Sequence, residues 1–184
     1  MTTTLFTNAH IATGEPGSTA ASTLPLQDIL VTDGVFTAFG PGLAQQYEAQ
    51  GGDPAAIEVV DLGGKLVCPP FCDTHLHLDY VFTARKPGAV NESGTLFEGI
   101  QRWSETKSDL TVDEIKQRAK IGIKKEMLHG VQLIRSHADV TDPNLTSLKA
   151  LLELKEELKD TVTLQIVSFP QEGMYSYEGP HGES

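Results

Sequence analysis

The chain has 184 residues and carries 25 acidic against 14 basic side chains, so its formal net charge is −11 at neutral pH. This acidic balance argues against a nucleic-acid partner, whose phosphates select basic surfaces, and against a polybasic membrane contact. A hydrophobic fraction of 39% is typical of a globular chain, and no apolar run reaches the roughly 20 residues of a membrane span. The N-terminus shows no export signal and only two cysteines occur, so a cytoplasmic location is expected.

The first 67 residues read as short strands and turns. Apolar runs over residues 28–31 and 35–39 flank the dipeptide Asp33-Gly34, which is a strong hairpin signal. Further strands are predicted over residues 3–12 and 57–62. We therefore expect a small β-rich domain over residues 1–67, with no pattern in it that points to chemistry.

Strands alternate with helices in the rest of the chain. A capping box, Thr111-x-x-Glu114, opens one of these helices and Gly130 ends it. Such alternation predicts βα units around a parallel sheet. A complete (β/α)₈ barrel needs about 250 residues, so residues 68–184 are expected to hold only the first three or so units. The predicted strands cover residues 66–79, 131–140 and 163–169, and the predicted helices cover 96–105, 112–129 and 145–160.

Two histidines stand near the end of the first strand of this alternation. His75 and His77 are two residues apart, so their side chains are predicted to share one face and to reach one metal ion. Asp73 and Asp79 have the same parity, which suits carboxylates that orient the rings. A His-x-His pair is also common on surfaces and in cores. Its position where α/β barrels place their chemistry favours the metal.

Polar side chains also follow the next two strands. His137 and Asp139 share a face of the second strand, and Gln171 follows the third. The amide of Gln171 can read the edge of an amide-like ring, although a loop-capping role explains it equally well. His137 is equally well explained as a hydrogen-bonded core histidine.

Four other residues are expected to be structural. Trp103 and Phe97 are predicted to lie in the core rather than at a cofactor. Cys68 and Cys72 are separated by rigid prolines, so we expect buried free thiols and not a zinc site.

Several of these stretches resemble one known family. Residues 67–79, VCPPFCDTHLHLD, resemble the first-strand signature of the amidohydrolase superfamily. Residues 91–100, 135–140 and 169–173 resemble its cytosine deaminase branch. The resemblance implies an α/β architecture: a small β-sandwich-like module, completed in the family by C-terminal strands, followed by a metal-dependent (β/α)₈ barrel.

The resemblance also implies roles for single residues. His75 and His77 match the first two metal ligands of the family. Gln171 matches the glutamine that contacts the pyrimidine, and Leu96 falls in a loop near the substrate. One divalent metal per site, Fe²⁺ or Zn²⁺, is implied. The strand pattern, and not the resemblance, adds His137, Asp139 and Asp79 as residues that could support these ligands.

The implied activity is hydrolytic deamination of cytosine or a related amino-azine, a small pyrimidine-like substrate, with release of ammonia. The family's acid/base residue and its remaining ligands fall beyond residue 184, so the catalytic residue is unknown here. The chain is thus expected to be the incomplete N-terminal portion of such an enzyme.

Two alternatives remain open. One is an amidohydrolase that acts on N-alkylamino triazines, whose early motifs look similar. The other is a catalytically inactive truncated subunit. Because a partial barrel leaves sheet edges and apolar faces uncovered, homo-oligomerisation is a further expectation.

Overall fold

The computed structural model of the chain describes residues 2–12 and 25–174, with only the main chain of Pro54 and Arg85. Contacts divide these residues into two compact units, one ending at Pro69 and the other beginning at Pro70. Within the described ranges, no helix combines the length and apolar character needed to cross a bilayer.

Short strands and a short helix build the first unit. Its elements are β1 (Thr3–Ile11), β2 (Leu26–Thr32), β3 (Val35–Gly40), α1 (Leu43–Ala49), a 3₁₀ turn (Pro54–Ala56), β4 (Glu58–Asp61) and β5 (Leu66–Val67). They form a mixed sheet of order β3-β2-β1-β4, in which β5 also pairs with β1. β1 and β2 are antiparallel, as are β2 and β3, whereas β4 and β5 run parallel to β1.

The hairpin between β2 and β3 turns at Asp33 and Gly34. Both residues have positive φ, 50° and 78°, as a two-residue type I′ turn requires. The predicted hairpin is therefore confirmed. Its strands lie beside a small core of Leu5, Ala9 and Ile29, all 2% exposed or less.

The second unit is a layer of parallel strands covered by helices. Its elements are β6 (Phe71–Leu76), a 3₁₀ turn (Thr83–Arg85), α2 (Leu96–Lys107), α3 (Val112–Leu128), β7 (Val131–Asp139), α4 (Thr146–Glu157) and β8 (Thr163–Phe169). The three strands pair in the order β6-β7-β8, and every pair is parallel. This is the βα alternation that the sequence predicts.

The bounds of α3 follow from the residues that flank it. The Thr111 side chain accepts a hydrogen bond from the N–H of Glu114 over 3.2 Å, which satisfies one of the helix's free donors. At the other end Gly130 adopts a φ of 87°, a left-handed conformation that costs glycine least. The predicted start and stop of this helix are confirmed.

The two faces of the parallel sheet differ in burial. Ile134, Ala138 and Leu164 point towards the helices and are almost fully buried. On the opposite face, Leu133 remains 42% exposed and Arg135 is exposed. The core of the unit therefore lies between sheet and helices. Its largest fully buried apolar side chains are Leu78, Ile115, Ile123, Ile134, Leu151 and Leu154.

Two predictions about burial are wrong. Cys68 and Cys72 are free but exposed, not buried. Cys72 pairs with Leu133, on the sheet face that the helices leave open. Phe97 is 82% exposed because it lies in the first turn of α2, on the side away from the core. Trp103, in contrast, is buried as predicted.

Candidate metal centre and substrate cavity

The two predicted metal ligands converge at the carboxyl end of β6. His75 is the last residue but one of the strand, and His77 follows its end. Their Nε2 atoms lie 3.3 Å apart. Two nitrogens bound tetrahedrally to zinc at about 2.0–2.1 Å are separated by roughly 3.3–3.4 Å. The pair thus has the spacing that one shared metal ion requires.

A main-chain contact determines which nitrogen of His77 is free. Its Nδ1 atom lies 3.1 Å from the carbonyl oxygen of His137. A carbonyl can only accept, so Nδ1 carries the proton and donates, and Nε2 keeps its lone pair for a metal. Burial lowers the pKa of His77, although the hydrogen bond to His137 acts in the opposite direction. The neutral imidazole is the form that binds metals.

The pairing of β6 with β7 is irregular between Asp73 and Leu76. The register of β6 on β7 shifts between Asp73 and Leu76, where three steps on β6 correspond to two on β7. The Asp73 carboxylate accepts the main-chain N–H of His75 over 2.9 Å and so contacts the backbone, not a ring. The expected role of Asp73 in orienting the rings therefore stays a prediction, since its recorded contact is with the main chain of His75.

The two buried carboxylates support the strand ends. Asp79 accepts the main-chain N–H of Asp139 over 2.9 Å. Asp139 accepts from Trp103, Lys107 and Thr141. Burial raises the pKa of Asp79 to about 6. These hydrogen bonds run to the main chain and to other side chains and not to the imidazoles, so it stays a prediction that the carboxylates orient the rings.

His137 lies directly against the histidine pair. Its ring stacks on that of His75 with a centroid separation of 4.2 Å and an interplanar angle of 23°. Phe169, the last residue of β8, meets the His137 ring edge-on at 5.9 Å. The ends of all three parallel strands thus contribute to one aromatic cluster.

A cavity of about 870 Å³ opens above this cluster. His75, His77, Leu96 and Gln171 all contribute to its wall, so the residues predicted to bind metal and substrate line the same space. The rest of the wall comes from the segment after β6, from α2 and from β8. These residues are Tyr80, Phe82, Thr83, Ala84, Ala89, Asn91, Gly94, Thr95, Gly99, Ile100, Arg102, Trp103, Thr106 and Phe169.

The rim of the cavity before α2 is held by Glu98. Its carboxylate accepts the N–H groups of Glu92 and Ser93 over 3.1 and 2.7 Å, and also the Ser93 hydroxyl. These bonds, led by that of the Ser93 hydroxyl, lower the pKa of Glu98 to about 2. Sequence reasoning missed this residue. The capping-box pattern Thr95-x-x-Glu98 is the signal that could have found it.

Aromatic residues that sequence reasoning did not assign to the site complete the wall. Tyr80 stacks on His77 at 4.6 Å between ring centroids, and its ring meets that of Trp103 at 4.7 Å with a tilt of 43°. No short motif marks Tyr80: one partner, His77, is three residues away, and the other, Trp103, lies on α2.

Comparison with known proteins assigns the family. The model of the amidohydrolase family matches residues 58–184, which is more than half of the chain. The chain belongs to the amidohydrolase family. The matched range contains the whole His75–His77 cluster and the cavity above it.

Individual amidohydrolases resemble the chain over part of their length. N-isopropylammelide isopropyl amidohydrolase of Pseudomonas sp. strain ADP is 35% identical over 120 residues, which is 63% of this chain and 30% of that protein. The crystal structure of 5-methylcytosine deaminase from Klebsiella pneumoniae with 5-fluorocytosine has 40% identity and a TM-score of 0.77, and covers 97% of this chain and 38% of the enzyme. N-isopropylammelide isopropylaminohydrolase from Burkholderia multivorans has 25% identity, a TM-score of 0.72 and coverage of 97% and 40%. The chain thus spans about a third of these relatives' length.

Members of this family are metal-dependent, and the histidine pair fits part of a metal site. Its two Nε2 atoms converge and the tautomer of His77 leaves one of them free to bind. Catalytic zinc usually has three protein ligands. Across residues 2–12 and 25–174, no group of three or more His, Cys, Asp or Glu side chains could hold an ion. The described residues therefore hold no complete set of three ligands, and the role of the histidine pair stays a prediction.

Proposed function

We propose that this chain forms the His75–His77 end of a metal-dependent hydrolase that deaminates cytosine or a related amino-azine ring. In this reaction water adds to the ring carbon that bears the amino group, a carbonyl replaces that group, and ammonia leaves. The observation that carries the proposal is the 3.3 Å separation of the two Nε2 atoms on the wall of a cavity that Leu96 and Gln171 also line.

Each of these residues has a distinct task in the proposal. His75 and His77 would hold the ion through their Nε2 atoms. A divalent ion such as Fe²⁺ or Zn²⁺ supplies Lewis-acid activation of water at neutral pH. Gln171 offers one acceptor and two donors to the polar edge of the ring, and Leu96 supplies apolar contact. The similarity to 5-methylcytosine deaminase supports a ring of this size and polarity.

The free cysteines and the net charge support a cellular location and a substrate class for this activity. The two free and exposed cysteines favour a reducing, cytoplasmic location. The net charge of −11 favours a small-molecule substrate over nucleic acid or an anionic membrane.

A hydrolase of N-alkylamino triazines is the second candidate. The similarity to N-isopropylammelide hydrolases of Pseudomonas and Burkholderia favours it. Product analysis separates the two candidates: the metal-loaded chain is incubated with cytosine and with N-isopropylammelide, and ammonia and isopropylamine are measured. Ammonia from cytosine supports the deaminase, and isopropylamine supports the triazine hydrolase. If neither product forms, this chain is inactive by itself.

Metal binding tests the site directly. Zn²⁺ is titrated into the chain in competition with a chromophoric chelator, and the double variant His75→Ala/His77→Ala is compared with His129→Ala. His129 is exposed and bonds to the carbonyl of Lys125, at the end of α3, so its loss removes an imidazole without touching the cavity. We expect saturable binding that the double variant abolishes and the control retains. Equal binding by all three proteins would overturn the proposal.

A further inference from the structure

We propose that His137 is a positioning residue that orients both histidines of the pair, through its ring for His75 and through its main-chain carbonyl for His77. This inference rests on the proposed metal-binding role of the pair. It concerns how the two imidazoles reach their spacing before an ion binds.

The carbonyl contact follows from where the strand ladder ends. β6 pairs with β7 as far as Leu76 and Ser136. The next carbonyl along β7 is that of His137, and the Nδ1–H of His77 donates to it over 3.1 Å. If β6 continued, a main-chain N–H would donate to a carbonyl at this position of the ladder. Here the His77 side chain donates instead. This bond orients the His77 ring and directs its Nε2 atom towards that of His75.

The ring contact acts on the other ligand. His75 is exposed, and no other described ring lies as near to it as His137, at 4.2 Å. Stacking of the His137 ring on the His75 ring restricts the rotation of the His75 imidazole. The His137 ring is itself held by Phe169, which meets it edge-on. An exposed ligand is thus stabilised in one orientation by a half-buried neighbour.

The main chain of His137 is held in a fixed position by the neighbouring strand. It lies in the continuous part of the β7–β8 ladder, where it pairs with Val167 between Ser136–Ile166 and Ala138–Ser168. Its position is therefore determined by two strands that do not themselves carry the ligands. Pre-organised ligands bind a metal more tightly, because less rotational freedom is lost on binding. Supporting residues of this kind typically change metal affinity about 10–100-fold.

Two substitutions isolate the contribution of the His137 ring, because both keep the main-chain carbonyl. His137→Phe keeps a flat ring and the carbonyl but removes both ring nitrogens. His137→Ala keeps the carbonyl and removes the ring. We expect Zn²⁺ affinity, measured by chelator competition, to stay within about threefold of the parent in the Phe variant and to fall about tenfold in the Ala variant. His129→Ala serves as the control for imidazole content.

A second measurement uses the metal-free chain. The ring protons of His75 are shifted in NMR spectra by a stacked aromatic neighbour. We expect this shift to persist in His137→Phe and to disappear in His137→Ala, while His77, held by the carbonyl, keeps its ring signals. If His137→Ala fails to fold, His137→Leu, which fills the same space without an aromatic ring, replaces it in both measurements.

The outcomes distinguish the inference from the proposed function. If His75→Ala/His77→Ala binds Zn²⁺ like the parent, the metal site itself is refuted. If that variant loses binding but His137→Ala does not, the positioning role of the His137 ring is overturned. Equal loss in His137→Phe and His137→Ala would also overturn it, since the nitrogens of His137 would then matter more than its ring.

Discussion

The indole N–H of Trp103 donates a hydrogen bond to the Oδ2 atom of Asp139 over 2.6 Å, with both side chains buried. Trp103 belongs to α2 and Asp139 is the last residue of β7, so the bond joins a wall of the cavity to a strand end. Burial by itself raises the pKa of Asp139, but hydrogen bonds from Thr141 and Trp103 and the charge of Lys107 lower it below its usual value. The carboxylate is therefore ionised and depends on its donors.

Trp103→Phe should destabilise the chain by about 1–3 kcal/mol, because a buried carboxylate loses a donor while most of the apolar packing remains. The free energy of unfolding is measured by urea titration with circular dichroism. In an Asp139→Asn background the same substitution should cost less, because a neutral amide needs the donor less. Equal losses in both backgrounds would show that packing and not the hydrogen bond is responsible.

Lys107→Met should be more destabilising than Lys116→Met. Lys107 is 12% exposed and its Nζ atom bonds to Asp139, Thr141 and Glu172 over 3.3, 2.7 and 2.6 Å. Loss of hydrogen bonds to a buried charged group costs about 1.5–3 kcal/mol. The Lys116 side chain is similarly covered, at 14% exposure, but its partners Glu153 and Glu157 are 56% and 39% exposed, and pairs with exposed carboxylates contribute little.

Salt dependence adds a second criterion to the lysine comparison. Added salt screens exposed ion pairs much more than buried ones. The effect of Lys116→Met on urea stability should therefore shrink in 1 M NaCl, whereas that of Lys107→Met should persist. A Lys107 effect that salt removes would contradict the burial argument.

Glu98→Gln should change the pH dependence of stability. The folded pKa of Glu98, about 2, lies below its ordinary value of 4.5. Such a group stabilises the fold above its unfolded pKa, and the contribution is lost as pH falls towards the folded pKa. The stability difference between parent and variant should be largest above about pH 5 and should vanish near pH 2. Urea titrations at several pH values check this, and a difference that is constant with pH would contradict it.

Two glycine substitutions should have opposite effects. Gly122 lies inside α3, and a Cβ there would meet Leu78 at 3.5 Å and Val81 at 3.6 Å, which are ordinary contacts. Gly122→Ala should therefore stabilise the chain by about 0.5–1 kcal/mol through helix propensity. Gly130 has a φ of 87° and Phe71 lies 3.4 Å from its Cβ position, so Gly130→Ala should destabilise by roughly 1–2 kcal/mol. Thermal unfolding of both variants checks the signs, and stabilisation by Gly130→Ala would contradict the reasoning.

Local patterns carried most of the information about the elements. The hairpin at Asp33-Gly34, the cap at Thr111 and the stop at Gly130 each depend on residues adjacent in sequence, so they were predictable. The same holds for the order of strands and helices in the second unit. The exposure of Cys72 and Phe97 was not predictable from hydrophobicity, because it depends on which sheet face the helices cover and on which side of α2 faces the core.

The sequence by itself determined the family motifs, the βα alternation and the shared face of His75 and His77. Only the tertiary structure decided what surrounds them: His137 is 60 residues from His77, and Asp139 is 36 residues from Trp103, yet each pair is joined by a hydrogen bond. Such contacts depend on the register of β6, β7 and β8 and on the register shift after Asp73. The alternation along one strand predicts which side chains share a face, but the residues that they meet on a distant strand depend on how the buried faces pair in the folded sheet. Residue type and spacing therefore predict which side chains can act, and the fold determines which of them meet.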